Sequence, residues 1–596
     1  MGLPKVHQSS TPLTETAIMR AWRAASVVYA GVGIAGLCVL VYFARSGFDT
    51  TDESYYFKWA AAPGDVALNP NIFGYALNPL LAASGYDIGI YRVAGMVLMF
   101  ALGALFGLAA SRLAITQERT HSMVVAILFG LCSLNVYTYW LPTPGYNWLA
   151  VFGCILAVIG LALWAGPQSP SLGQIAGAVL AIALAGFFAA VSRPATAAVL
   201  GLLVVAALFA SWQDTRKTTY GVLLCLASCV VVTTIWLLPY ASGSHYATVL
   251  QDGYSQFTFN QGLWRIPVQA AGLFHNVPGP LVFITSLLWV LFVGLCVVQF
   301  GFANLLTARI LSAIQVAALL IAALALLPWG RPGGHQPAAG LFIGEKATVI
   351  GLAFTIAALS AALKTGSHQT RREFTIAVCL ILLITPWTLA LAGGNSLSSI
   401  ARIGSGLELM AGLFAVVVLA PETRALWHLA AAACLIFTAQ DVGGALQAPY
   451  RLAGSIPMQT EPVTIAGGRL FVDLETAQWL DSIKAAAQNE GFVPGTPLLD
   501  LTGRMPGLAL IIGAKSLVHP WIYAGYPESQ EALVVALQRM DQRALESSWL
   551  AVPKKAAFDQ AALRARLPAG FAYKQTGSFT RPYDQLEFAL FRPLRR

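Results

Sequence analysis

"AASVVYAGVGIAGLCVLVYFARSGFDTTDESYYFKWA", residues 24–60, changes character abruptly near its middle. Its first part, Ala24–Ala44, carries neither charge nor proline. As a helix rising about 1.5 Å per residue it can cross the ~30 Å hydrocarbon core of a bilayer. It is also too long for the ~7–15-residue apolar region of a signal peptide, so it is expected to remain as a first membrane span. Directly after it, Asp49, Asp52 and Glu53 crowd three carboxylates into five residues, beside Tyr55 and Tyr56. The chain otherwise avoids charge, so acid at the mouth of its first span needs a reason.

The avoidance is general. Of 596 residues, 57% are hydrophobic and 11% are charged, with a mean hydropathy of +0.67; soluble domains carry about 25% charged residues. Lipid must solvate most of this chain. Runs of span length recur at 24–44, 91–111, 121–140, 148–165, 173–191, 196–211, 219–239, 280–300, 310–328, 347–363, 374–392, 404–420 and 425–441, about thirteen in all. Basic residues gather in alternate short loops. Lys5, Arg20 and Arg23 precede the first span, and Arg112 and Arg119 follow the second. Arg216 and Lys217, then Arg309, then Lys364, Arg371 and Arg372 continue the alternation. By the positive-inside rule these loops face the cytoplasm, which puts the N-terminus there and everything after about residue 442 outside. Much of the net charge of +9 is then a topology signal, and not a nucleic-acid surface. The eight cysteines lie in apolar runs, with neither metal-ligand spacing nor a disulfide framework.

The expected organisation is mostly α: a polytopic helical membrane domain over 1–445, with an external loop at 45–90, and an external soluble α/β domain over 455–596. In that tail, strand-like Pro497–Leu501 and Leu586–Phe591 alternate with helix-like Glu475–Gln488 and Glu531–Gln542. Within the loop, Thr50-x-x-Glu53 fits a capping box for a helix through Tyr55–Ala62, with Asp52 complementing the helix dipole. Asn69-Pro70 and Asn78-Pro79 each resemble a helix start. Ile72, Phe73, Ala76 and Leu77 share a face that could lie in the membrane interface.

A capped helix is also a rigid way to present a carboxylate. A sugar carried on a lipid phosphate already has a good leaving group, so its transfer needs one base for the acceptor hydroxyl and cations for the departing phosphate. Arg193, Arg265, Arg331, Lys346 and Arg402 sit at the external ends of spans, although each singly also fits a residue snorkelling to the interface. "PTPGYNWL", residues 142–149, adds Tyr146 and Asn147 at the external end of the fourth span, as sugar contacts or as part of an aromatic belt. "SRPA", residues 192–195, makes Arg193 the corner of a tight turn. In the loop 240–279, His245, Asp252, Arg265 and His275 could shape an acceptor entrance, or simply be loop polarity.

"TDESYYFKWA", residues 51–60, resembles the Asp-Glu motif in the first external loop of GT-C glycosyltransferases, nearest to the protein O-mannosyltransferases and the aminoarabinose transferases that modify lipid A. The resemblance extends to about a dozen spans, an acidic first loop and a terminal soluble domain. It implies an inverting transfer from a polyprenyl-phosphate sugar to a hydroxyl of a glycolipid, polysaccharide or protein at the outer face of the cell membrane. It also implies Asp52 as the base and Glu53 as its acidic neighbour. Asp49 is an extra carboxylate that leaves the choice of base open. Some GT-C enzymes use a divalent cation; without a second acidic motif the sequence favours neither a metal nor another cofactor. The rivals are a lipid-linked glycan flippase or transporter, expected to carry charge inside its spans, and a glycan ligase or polymerase.

Overall fold

The computed structural model describes residues 12–63, 72–114, 119–165, 171–211, 215–237, 343–365, 369–389, 400–517, 521, 533–534, 537–538, 540–555 and 572–594. The predicted spans 280–300 and 310–328, the Asn69-Pro70 step and the candidate residues Arg265, His275 and Arg331 lie outside them, as does part of the predicted helix Glu531–Gln542. The membrane part runs through α1 (Pro12–Tyr42), α2 (Asp52–Ala61), α3 (Phe73–Ala83), α4 (Ile88–Leu113) and α5 (Arg119–Ser133). It continues as α6 (Tyr146–Trp164), α7 (Leu172–Ser192), α8 (Pro194–Ser211), α9 (Thr215–Leu237), α10 (Ile343–Thr365), α11 (Gln369–Thr388), α12 (Ser405–Leu419) and α13 (Arg424–Gln447). Every predicted span within the described residues is met by a helix. Seven of them are long and apolar enough to cross a membrane, and the chain is a multi-pass membrane protein.

The helices sort by what solvates them. α1 leaves Val27, Val28, Val32, Ile34 and Val39 exposed, a face made for lipid. Every residue of α12 is buried, Glu408 included, as a helix that is apolar on nearly every face should be at the centre of a bundle. Lipid tails provide no hydrophobic drive between helices, so association depends on close backbone approach. Glycine supplies it: a Cβ on Gly406 would lie 2.0 Å from the carbonyl oxygen of Cys132, at the end of α5, and one on Gly351 of α10 would lie 2.1 Å from that of Glu408. Local signals set the ends. Ser171 and Gln174 form a capping box at the start of α7. Arg193 then ends the helix with non-helical backbone angles, φ −143° and ψ 84°, outside the α region that a following proline disfavours, and Pro194 opens α8.

The loop after α1 differs from expectation in two respects. α3 begins at Phe73 and carries Pro79 inside it, so Asn78-Pro79 is not a helix start; Asn78 donates instead to the Ala60 carbonyl at 2.8 Å. The face bearing Ile72, Phe73, Ala76 and Leu77 is buried in protein, so it is not an interfacial face. Phe73 packs on Trp59 at 5.0 Å and Tyr55 at 5.8 Å between ring centroids, and the Ile72 amide donates to the Val191 carbonyl at the end of α7. Aromatic burial outweighs the interface because α2 offers a ready partner surface.

The C-terminal part opens with a hairpin, β1 (Glu461–Ile465) and β2 (Gly468–Val472). Its Phe471 exchanges backbone hydrogen bonds with Arg45 and Gly47 after α1. α14 (Leu474–Asn489) follows, N-capped by Asp473. β3 (Pro497–Asp500), α15 (Gly507–Ile512), β4 (Lys515–Ser516), α16 (Gln542–Glu546), β5 (Trp549–Pro553), β6 (Tyr573–Thr580) and β7 (Glu587–Pro593) complete it. The strands form one sheet in the order β4-β3-β5-β7-β6, parallel among β3, β4 and β5 and antiparallel at β5–β7 and β6–β7. The apolar core runs unbroken from the bundle into this part through Ile456, Ile465, Leu470 and Leu480.

Candidate active site

The acidic stretch folds as one turn feeding α2, and each carboxylate has a different fate. Asp49 is buried and accepts from the Thr51 amide at 2.9 Å, the Thr51 hydroxyl at 2.6 Å and the Glu53 amide at 3.1 Å. Glu53 accepts in return from the Asp49 amide at 3.2 Å. This reciprocal arrangement replaces the predicted Thr50–Glu53 capping box, with Asp49 in the place given to Thr50. The outer face of Glu53 meets Arg92 of α4, whose Nη2 and Nε donate at 2.6 and 2.8 Å, and Thr143 donates to the same carboxylate. Arg92 is itself fully buried and ties the Ala44 and Gly47 carbonyls. Both groups are committed to holding the turn.

Asp52 is the carboxylate of the three that keeps a solvent face, with its side chain 20% exposed. Arg451 donates to it at 3.0 Å and to the Thr51 hydroxyl at 2.7 Å, and the Tyr450 hydroxyl stands close enough to favour its charged form. Burial pushes the Asp52 carboxyl up to about 6, with the nearby Asp49 charge adding to the rise and Arg451 and Tyr450 opposing it. A carboxyl so placed changes protonation near neutral pH, where a general base is most effective. Arg451 holds a left-handed backbone, φ 54°, a conformation that costs a non-glycine residue on the order of 1 kcal/mol or more and concentrates at functional sites.

Two lines of contact lead away from Asp52. Tyr56, one helical turn on, meets Tyr146 edge-on at 5.3 Å. The Arg193 guanidinium lies over the Tyr146 ring, 4.5 Å from its centroid, and its Nη2 and Nε donate to Asn147 Oδ1 at 2.7 and 3.2 Å. Along the other line, Tyr450 meets Tyr139 at 5.8 Å, and Arg402 lies over Tyr139 at 4.8 Å. Arg402 is already paired: Asp441 Oδ1 accepts from it at 3.1 and 3.2 Å and from Thr138 at 2.5 Å. Lys346 stands near enough for its charge to act on Asp441. The two arginines differ in one respect that matters. Arg402 has a carboxylate; Arg193, buried equally, has a neutral amide and a ring, and no carboxylate among the described residues.

Asp52, Tyr146, Asn147 and Arg193, predicted from separate stretches, thus belong to one contact line, while Arg402 and Lys346 belong to the other. Arg92, Tyr450 and Arg451 were missed. Arg92 had a signal, a charge just inside a span, where charge is costly. Tyr450-Arg451 followed the last span, but its partner stands 399 residues earlier.

Fold and site together define a multi-pass helical membrane protein with an acid–arginine centre where the bundle meets its C-terminal sheet. No family model matches the chain, and no curated protein matches it. Two solved structures similar to it are of ArnT from Cupriavidus metallidurans. The one bound to undecaprenyl phosphate is 13% identical, covering 95% of this chain and 97% of the other with a TM-score of 0.41. The apo form is 12% identical, covering 95% and 98% with a TM-score of 0.43.

Proposed function

We propose that this protein is a GT-C glycosyltransferase that moves a sugar from a polyprenyl-phosphate carrier to an envelope hydroxyl at the outer face of the membrane, with Asp52 as base and Arg193 as a ligand of the lipid phosphate. The observation that carries this is the contrast between the two buried arginines. A buried guanidinium without a counter-charge is costly, and a phosphate offers it the paired acceptors that a neutral Asn147 cannot. Arg451 cannot substitute for it, since Asp52 already neutralises that charge.

In this scheme Asp52 takes the proton of the acceptor hydroxyl, and the acceptor oxygen attacks the anomeric carbon. The bond from that carbon to the phosphate oxygen breaks with its electron pair, leaving polyprenyl phosphate beside Arg193. One displacement assisted by one base inverts the anomeric centre. We assign the positive charge at the leaving phosphate to side chains and not to a divalent cation, and the aromatic rings of Tyr56 and Tyr146 to the sugar. The alternation of basic loops supports an N-terminus in the cytoplasm and a C-terminal domain outside. The acceptor class of this reading is any glycolipid, polysaccharide or protein hydroxyl.

Undecaprenyl phosphate binding to the purified full chain tests it. Arg193→Ala should weaken binding by about 30-fold or more, ~2 kcal/mol, by analogy with loss of a charge-stabilising donor. Unchanged affinity would remove Arg193 from the site and with it the phosphate-carrier reading.

A further inference from the structure

We infer that the C-terminal domain forms one wall of the catalytic centre, with Gly507 and Arg581 as positioning residues for the turn that carries Asp52. This deepens the proposed function and rests on Asp52 being the base. The bundle holds the Glu53 side of that turn through Arg92. The opposite side is held by the tail.

The Gly507 amide, at the start of α15, donates to the Thr50 carbonyl at 2.9 Å. A Cβ at position 507 would fall 2.7 Å from Thr50 Cα and 2.8 Å from Ser54 Oγ, so no other residue permits this approach without moving the turn. Arg581 is buried, its fork closed on Asp584 at 2.9 and 2.6 Å. Its Nη1 reaches both the Thr50 hydroxyl at 3.4 Å and the Arg504 carbonyl at 3.2 Å. Further along α2, Lys58 donates to the Ala514 carbonyl at 3.0 Å, just past α15. The tail therefore grips the helix at two levels. Its own gripping loop is rigid: Asp500 accepts from the Thr502 amide and hydroxyl at 2.9 and 2.6 Å and from the Met505 amide at 3.3 Å, much as Asp49 does for Thr51 and Glu53.

The grip bears directly on the carboxylate. Thr51, next to the clamped Thr50, shares its hydroxyl between Asp49 and Arg451, and Asp52 follows it. Shifting Thr50 moves the Asp52–Arg451 pair as a unit. Misplacing a catalytic group by about 1 Å costs on the order of 10²-fold in rate. Arg193, reached through Tyr56 and Tyr146, is touched by neither Gly507 nor Arg581.

The test uses the full-length protein in detergent, with Gly507→Ala and Arg581→Met. Hydrogen exchange is followed in the 48–61 segment, and transfer is measured with a panel of undecaprenyl-phosphate monosaccharides and an envelope extract. The inference expects exchange at the Ser54 and Tyr55 amides to accelerate at least about tenfold, with kcat falling about 10²-fold and KM for the donor unchanged. A packing role alone would leave kcat intact or move both constants with global stability, and either result would overturn the inference. So would unchanged exchange in both variants. Should Gly507→Ala not fold, Arg581→Met decides by the same readouts. Accelerated exchange together with full transfer by Asp52→Asn would instead sink the assignment of the base.

Discussion

Asp52→Asn should move activity and stability in opposite directions. The Asp52 carboxyl is lifted by burial to about 6 from 3.8, so its charged form is disfavoured in the fold relative to the unfolded chain by at most about 3 kcal/mol. The sign follows from the lift. A carboxyl whose folded value is raised weakens the fold above about pH 6, and the penalty fades as pH falls through 6 towards 3.8. Asparagine mimics the protonated form, so the variant should melt at the same or a higher temperature than the wild type at pH 8, and the gap should close near pH 4. Transfer by the variant should fall about 10²- to 10⁴-fold for loss of general-base help, with undecaprenyl phosphate binding retained. In the wild type, transfer should decline as pH drops through about 6, with roughly a tenth of the plateau left at pH 5; a carboxyl at 3.8 would retain over about nine-tenths. The assays are thermal unfolding in detergent at pH 4 and 8 and donor turnover from pH 5 to 8. Wild-type turnover by the asparagine variant, or a profile flat from pH 7 to 5, refutes the reasoning.

Glu53→Gln strands the fully buried Arg92 and should destabilise the protein by about 3–5 kcal/mol, read as a lower melting temperature; a stable variant lacking turnover would instead make Glu53 a catalytic carboxylate. Gly406→Ala puts a methyl group 2.0 Å from the Cys132 carbonyl. Because backbone must yield on both helices, a cost of about 3 kcal/mol or more is expected, seen as loss of the monodisperse peak in size-exclusion chromatography. An unperturbed peak and melting temperature would mean that α12 and α5 do not meet there.

The legible and illegible parts of this protein divide by distance along the chain. The capping pattern was visible in the turn and pointed to Thr50 as its first member, yet the structure gives the reciprocal contacts with Glu53 to Asp49. The choice fell to Asp49 because Thr50 is engaged by Gly507 and Arg581, more than 450 residues away. The Ile72–Leu77 face was visibly apolar, yet whether it met lipid or protein depended on Trp59 and Tyr55 being turned towards it. Arg193 was legible as the corner of a turn, while its lack of a carboxylate partner among the described residues was not.

By itself the sequence determined the succession of membrane helices within the described residues, the turn at Arg193 and the mixed character of the tail. Hydrophobic run length, the proline after Arg193 and the Asp473 cap act within a few residues and need no tertiary partner. Only the tertiary structure decided which of three adjacent carboxylates stays partly open. Burial and ion pairing are settled by neighbours in space: Arg92 and Thr143 enclose Glu53, the turn's own amides enclose Asp49, and Arg451 meets Asp52 across a gap that leaves one-fifth of its surface to solvent.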